Sequence, residues 1–295
     1  MMAKPQSFSG QLLHDEPMAR HCSWRTGGAA EMYYEPADKR DLAEFLSIQD
    51  SDLPMMWIGL GSNLLVRDGG VRGLVVGALS RLNELEVLDD GGVYAEAGVT
   101  CARLARFCKQ QHLFGAEFLA GIPGTVGGAL AMNAGAFGSE TWDFVQSVEM
   151  MSRQGDLRLR EKSEFSIDYR TVVKEDDEWF SAGLFNFSTE ELSNASNIKQ
   201  LLQKRNETQP IGLPSCGSVF KNPPDDYAAR LIEACDLKGY CIGGACVSDK
   251  HANFIINSNQ ASANDIEDLI AYVKQQVLRQ FQVELQTEVR IVGER

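Results

Sequence analysis

The chain has no apolar run approaching the roughly 20 residues needed to cross a bilayer. Its first residues, MMAKPQSFSGQLLHDEP, lack the long apolar stretch and small-residue cleavage site of a secretory signal. A cytoplasmic protein without membrane insertion is the expectation. Positive charge is also short: 28 Lys and Arg stand against 41 Asp and Glu, a formal net charge of −13. That balance argues against nucleic acid or an anionic membrane as partner. The seven cysteines are an odd count without a CxxC pair, so neither a disulfide framework nor a zinc site follows. Free, partly buried thiols are expected at Cys235, Cys241 and Cys246, and no metal. The four histidines are scattered, and there is no internal repeat, heptad run or low-complexity tract. What remains is an ordinary globular chain of 295 residues, 44% hydrophobic and 23% charged. That is enough for one large domain or two to three small ones.

Against this ordinary background, Gly115–Gly138 stands out: GAEFLAGIPGTVGGALAMNAGAFG, with seven glycines and almost no charge. Glycine lets main-chain N–H groups approach a ligand closely and tolerates φ > 0. Pro123-Gly124-Thr125-Val126-Gly127-Gly128 runs into the helix-like Ala129–Met132. Thr125 is expected to cap that helix, leaving amides and a positive dipole end facing an anion such as a diphosphate. A solvated loop would carry more Asp, Asn, Ser and Lys, so a buried nucleotide site is the better reading. An acidic protein must hold such a ligand with local amides and a few basic side chains. A second candidate, Gly59-Leu60-Gly61-Ser62-Asn63, directly follows the apolar strand Met55–Ile58. Leu64 stands where a dinucleotide fingerprint has its third glycine, so by itself this loop reads as a hairpin turn.

Periodicity predicts strands at Ala30–Tyr34, Met55–Ile58, Leu64–Val66, Leu74–Val76, Leu85–Leu88 and Val93–Ala97, the last two joined by a turn at Asp89–Gly92. Helices are expected from Asp38 to about Gln49 and from Thr100 to about His112. A hairpin follows, Val145–Met151 with Leu157–Arg160, then a strand Trp179–Phe187 and a helix begun by Ser188-Thr189-Glu190-Glu191. Pro210 and Pro214 mark a boundary. Beyond it we expect a strand-like Gly217–Lys221, a helix about Asp226–Cys235 and strands near Gly244–Val247 and Asn253–Ile256. A long helix from Ser262 carries Ile266, Leu269, Ile270, Val273, Val277 and Phe281 on one face, and Val283–Val292 closes the chain as a strand.

Four polar phrases lie outside the glycine segment: SCGSVFKNP (215–223), Asp168-Tyr169-Arg170, KHANF (250–254) and Thr287-Glu288-Val289-Arg290. Singly, each reads as a solvated charge, a turn serine or an ordinary surface pair. Taken in order with GLGSNLL and GIPGTVGGALAMNAGAFG, from about Arg20 to Gly293, they make the chain resemble the UDP-N-acetylenolpyruvoylglucosamine reductases, the MurB family. The resemblance implies an α+β protein with a two-lobed FAD-binding fold of the vanillyl-alcohol-oxidase/PCMH type. It implies lobes at 1–80 and 81–208 and an α/β substrate domain at 209–295, whose last strand returns to the lobes. It also implies noncovalent FAD, NADPH as reductant and a UDP-sugar substrate, in peptidoglycan precursor synthesis and hence cell wall biogenesis, cell shape and cell division. A monomer is favoured.

Carried over residue by residue, the resemblance assigns Ser218 as proton donor, with Arg170 and Glu288 in the same active site. It places Gly59, Gly61, Ser62, Asn63, Gly121, Ile122, Pro123, Gly124, Thr125, Gly128, Asn133 and Gly135 at the cofactor, and Tyr169, Lys221, Asn222, His251 and Asn253 at the substrate. Val172 and Cys241 depart from the family pattern, where a serine and a basic residue are usual. The implied reaction sends a hydride from NADPH through FAD to an enol ether conjugated to a carboxylate. A guanidinium suits that carboxylate as a two-pronged donor. Glu288 would repel it unless protonated. Serine is a weak acid, but a carbanion-like partner is basic enough to take its proton. Another FAD-dependent oxidoreductase of the same cofactor fold is the alternative. Many of those tether FAD through a His near the first glycine loop, and no His lies between His21 and His112. A nucleotide-sugar sensor without turnover is the non-enzymatic alternative, and Ser218, Arg170 and Glu288 together speak against it.

Overall fold

The computed structural model describes residues 8–190 and 198–295. They form two compact units, whose membership alternates along the chain. The first takes 8–14, 32–59 and 73–190, the second 15–31, 60–72 and 198–295. No helix among the described residues is long and apolar enough to cross a membrane.

The first unit is built on a five-stranded antiparallel sheet in the order Leu157–Glu161, Val145–Ser152, Glu178–Phe185, Val93–Glu96, Leu85–Val87. The Asp89–Gly92 and Arg153–Asp156 turns close its two hairpins as the sequence predicts, and Gly92 N donates to Asp90 Oδ1 at 2.9 Å. Met55–Ile58 pairs in parallel with Leu74–Gly77. Helix α1 (Lys39–Leu46) is capped by Asp38, whose side chain accepts from Asp41 N. It buries Leu42, Phe45 and Leu46 against Tyr34, Leu74 and Val76. Two buried polar knots brace the unit. Asp41 accepts from Tyr34 Oη (2.6 Å), Ser9 N (2.7 Å) and Ala37 N (3.0 Å). Lys39 Nζ donates to Tyr94 Oη (2.6 Å) and Glu149 Oε1 (2.8 Å). Burial works against the Lys39 charge, yet those partners leave its pKa raised. Helix α2 (Cys101–Gln110) is capped by Thr100 Oγ1, and the short α3 (Val126–Met132) follows.

In the second unit a three-stranded antiparallel sheet, Cys241–Ile242, Ala245–Val247 and Ile255–Asn257, adjoins α5 (Ala228–Ala234) and α6 (Ala263–Phe281); α4 (Ile198–Thr208) precedes them. The sequence sets α6 firmly. Ser262 and Asp265 exchange hydrogen bonds as a capping box, and Ile266, Leu269, Ile270, Val273 and Val277 are buried. Asp68 adds two more bonds, to Ala263 N and Asn264 N. The core joins these residues to Trp24, Leu65, Phe220, Leu231 and Val289.

Some expectations change, and one falls outside the described residues. Val283–Val292 is a strand only at Arg290–Val292, because its parallel partner Leu64–Val66 is three residues long. Cys241 and Cys246 are bonded as a disulfide rather than free. The Ile242-Gly243-Gly244-Ala245 turn sets them directly opposite each other, with Cα atoms 4.1 Å apart. The start of the helix expected at Glu191 lies outside the described residues; α4 begins at Ile198. In the preceding turn, Ser188 Oγ accepts from Glu190 N.

Candidate functional site

The first unit holds the glycine segment. Between Glu117 and Glu140 there is no ionisable side chain. Thr125 sits at the N-cap of α3, as expected, but its side chain makes no capping bond. Its backbone instead bridges Thr100, and the first amides of α3 are taken inside: Val126 N donates to Val99 O (2.8 Å) and Gly127 N to Ala97 O (2.9 Å). Gly124 N and Ile122 N also donate to carbonyls of the protein, those of Ile122 and Leu119. Thr125 is 2% exposed, and its hydroxyl lies against Gly59, where a Cβ would come within 2.2 Å of Oγ1. Gly59 is therefore required by a close approach within this unit.

Gly128 behaves differently. It is exposed, and an added Cβ would meet only Thr125 Oγ1, at 3.8 Å. Exposed Pro123 and half-buried Ile122, Gly124 and Gly135 complete an uncharged strip of small residues. Small and uncharged, these residues fit a cofactor such as FAD that is approached by backbone and not by charged side chains.

The same unit carries Arg170. Tyr169 and Arg170 form the tip of the hairpin Ser166–Asp168/Thr171–Val173, with Arg170 at φ 55°. Arg170 Nη2 donates to Gly135 O at 2.9 Å and Nη1 reaches Asn133 O at 3.5 Å; the guanidinium stands 5.5 Å from the Tyr169 ring centre. Asn133 turns this corner. It ends α3 in the left-handed conformation (φ 44°) and is 2% exposed. Its Nδ2 donates to Glu140 Oε2 (2.6 Å) and Asp168 O (3.3 Å), while its Oδ1 accepts from Trp142 N (3.1 Å). The sequence placed Asn133 at the cofactor; it also ties the glycine segment to the Arg170 hairpin.

Within the second unit, the backbone directly after Ser218, the segment 286–288 and the Asn63 side chain are brought together. Glu288 N donates to Val219 O (2.8 Å), Lys221 N to Gln286 O (2.9 Å), and Phe220 bridges Thr287. Asn63 Nδ2 donates to Glu288 O at 3.0 Å. Gly61, at φ 61°, has no room for a Cβ, which would lie 2.0 Å from His21 O. The buried Cys216 thiol bonds to Gly61 O (3.5 Å) and Leu64 O (3.4 Å), fastening that turn to the Ser218 segment. Burial pushes this thiol up to about 12, so it remains a protonated donor. Sequence pattern gave no sign of that role.

The remaining substrate candidates divide. Asn222 is exposed and its Oδ1 accepts from Ala228 N at the start of α5 (3.1 Å). Lys221 is half-buried, and Tyr169 is 43% exposed. His251 Nδ1 accepts from Asn253 N (3.3 Å), so Nε2 carries the proton, and burial lowers its pKa. Asn253 is inside, its amide on the backbone of Phe220.

Comparison with known proteins gives a consistent picture. Residues 209–292 match the family described as UDP-N-acetylenolpyruvoylglucosamine reductase, C-terminal domain, and residues 30–159 match an FAD binding domain. The UDP-N-acetylenolpyruvoylglucosamine reductase of Methylococcus capsulatus is 54% identical over 97% of this chain and 94% of its own. That of Alkalilimnicola ehrlichii is 53% identical over 100% and 99%. The crystal structure of the UDP-N-acetylenolpyruvylglucosamine reductase (MurB) from Thermus caldophilus matches with a TM-score of 0.79 at 26% identity, covering 96% of this chain and 99% of that one.

Proposed function

That the chain belongs to the UDP-N-acetylenolpyruvoylglucosamine reductase family is the premise from which we propose its reaction. It reduces UDP-N-acetylenolpyruvoylglucosamine to UDP-N-acetylmuramate, with noncovalent FAD, in the synthesis of peptidoglycan precursors. The observation that carries this reading is identity above half over nearly the whole chain, through both matched regions.

When bound, FAD supplies a hydride, received from NADPH, to the terminal alkene carbon of the substrate. The protein's own residues handle the charge and the proton that follow. Arg170 holds the substrate carboxylate, since its planar fork matches two oxygens and opposes the charge that spreads there. Ser218 delivers its Oγ proton to the carbon next to the carboxylate. Glu288, as the acid, donates a hydrogen bond to that carboxylate. Gly128, Pro123, Gly124 and the Ser62-Asn63 turn contact the cofactor, while Tyr169, Lys221, Asn222 and His251 contact the UDP-sugar. NADPH as the reductant, a cytoplasmic location, a monomeric state and a part in cell shape and division belong to the same proposal. Support comes from the nucleotide nature of substrate and reductant, both cytoplasmic pools.

The test is a spectral titration of the purified, FAD-loaded protein without oxygen. NADPH should bleach the flavin, and the enolpyruvyl UDP-sugar should restore its colour with one equivalent of UDP-N-acetylmuramate formed. A flavin that NADPH bleaches but this sugar cannot reoxidise would sink the assignment.

A further inference from the structure

Asn253 is 4% exposed, and each of its polar groups has a partner in the second unit. Oδ1 accepts from Phe220 N at 3.0 Å, and Nδ2 donates to Phe220 O at 2.8 Å. The backbone carbonyl accepts from Val219 N at 2.9 Å; the backbone N–H donates to His251 Nδ1 at 3.3 Å. Three of these four bonds fall on the two residues directly after Ser218. Val219 O in turn accepts from Glu288 N, and Phe220 bridges Thr287 on its other side. Among the described residues, that isolated bridge is the regular pairing of the segment carrying Ser218. The Asn253 amide takes the place of a neighbouring strand, accepting from one residue's N–H and donating to the same residue's C=O. A carboxamide does both in its neutral form, with separate donor and acceptor atoms.

We infer that Asn253 is a positioning residue for proton delivery by Ser218, and that it does not contact the substrate. The inference rests on the reaction proposed above. Its buried side-chain amide fixes Phe220 and its backbone carbonyl fixes Val219, and through them the Cα of Ser218 and the backbone at Glu288. A hydroxyl that must reach one carbon atom is sensitive to small shifts, because a displacement of about 1 Å can cost about 100-fold in rate.

The experiment compares Asn253→Ala and Asn253→Asp with the parent holoenzyme in two half-reactions, flavin bleaching by NADPH and flavin reoxidation by the enolpyruvyl UDP-sugar. For Asn253→Ala, bleaching should stay within about twofold while reoxidation slows about 10- to 100-fold at saturating sugar, with KM changed less than about threefold. Hydrogen exchange at the Phe220 amide should accelerate. In a Ser218→Ala background the further loss should be under about twofold, because Asn253 acts through that hydroxyl. Should the alanine variant not fold, Asn253→Asp decides. A carboxylate keeps the acceptor for Phe220 N but loses the donor, and protonation restores it. Its rate relative to the parent should therefore rise as pH falls. A raised KM at unchanged maximal rate, full additivity with Ser218→Ala, equal loss in both half-reactions, or a flat pH ratio for Asn253→Asp would each overturn the inference. If the parent itself fails to be reoxidised by the sugar, the proposed reaction fails instead.

Discussion

Between Phe118 and Ser139 the first unit carries no ionisable side chain, and its backbone is held by main-chain bonds to Ala97 and Val99 and by glycine contacts too close for a Cβ. Between Ser215 and Asn222 the second unit also has irregular backbone, but there side chains hold it: the Cys216 thiol and the Asn253 amide, with Asn63 fixing the facing Glu288 carbonyl. The difference decides what damages each region. The glycine segment fails when an atom is added where it packs inward: a Cβ on Gly59 would lie 2.2 Å from its Thr125 Oγ1, and one on Gly127 2.8 Å from the Ala97 Cβ. The Ser218 segment fails when a polar group is removed, since its partner stays buried and unsatisfied at about 1–3 kcal/mol.

The strongest test of this contrast is Ser218→Ala. Reoxidation by the enolpyruvyl sugar should fall by about 1000-fold or more in single-turnover measurements, while bleaching by NADPH stays within about twofold. Equal loss in both steps would remove the division of labour. Next comes Gly59→Ala, expected to lower unfolding free energy by about 2–4 kcal/mol in denaturant titrations. A change under about 0.5 kcal/mol would show that Thr125 moves aside freely. Gly128→Ala sharpens the point from the other side, because its Cβ meets only Thr125 Oγ1, at an unstrained 3.8 Å. It should stabilise α3 by about 0.5–1 kcal/mol, the usual gain over glycine in a helix, yet weaken FAD about tenfold in fluorescence titrations. Unchanged FAD affinity would remove Gly128 from the cofactor surface.

The smallest effect concerns charge in the second unit. The Arg67 guanidinium, bidentate to Glu267 at 2.9 Å, holds that carboxyl down to about 2. A depressed carboxyl stabilises above its ordinary range near 4.5 and loses that contribution as pH falls toward 2. Glu267→Gln should cost about 1 kcal/mol at pH 7 and flatten the acid limb of the stability curve below about pH 4.5. A parent and variant with the same acid limb would show the pair to be energetically silent.

Local chemistry made much of the chain legible. Met55–Ile58 and Leu64–Val66 are short apolar runs and became those strands unchanged. Ser262 with Asp265, ahead of a 3.6-residue apolar stripe, announced α6 to within a residue. Thr125 misled because a threonine before a helix looks like a cap whether or not the neighbouring carbonyls of Ala97 and Val99 already satisfy the amides. The Cys241–Cys246 bond escaped for a similar reason: spacing does not reveal hairpin register. The resemblance assigned Asn253 to the substrate, and an Asn in a polar phrase gives no hint of the inward bonds it makes to Phe220.

The sequence by itself determined most helices and strands and the uncharged glycine segment, because these depend on residue type and on spacing along one chain, whereas Ser218, Arg170 and Glu288 were singled out by the family resemblance. Tertiary structure decided which donors are already occupied: the α3 amides, the Cys216 thiol, the Asn253 carboxamide. Hydrogen-bond partners distant in sequence, such as Phe220 and Asn253, are chosen by packing in three dimensions, and no linear pattern encodes that choice.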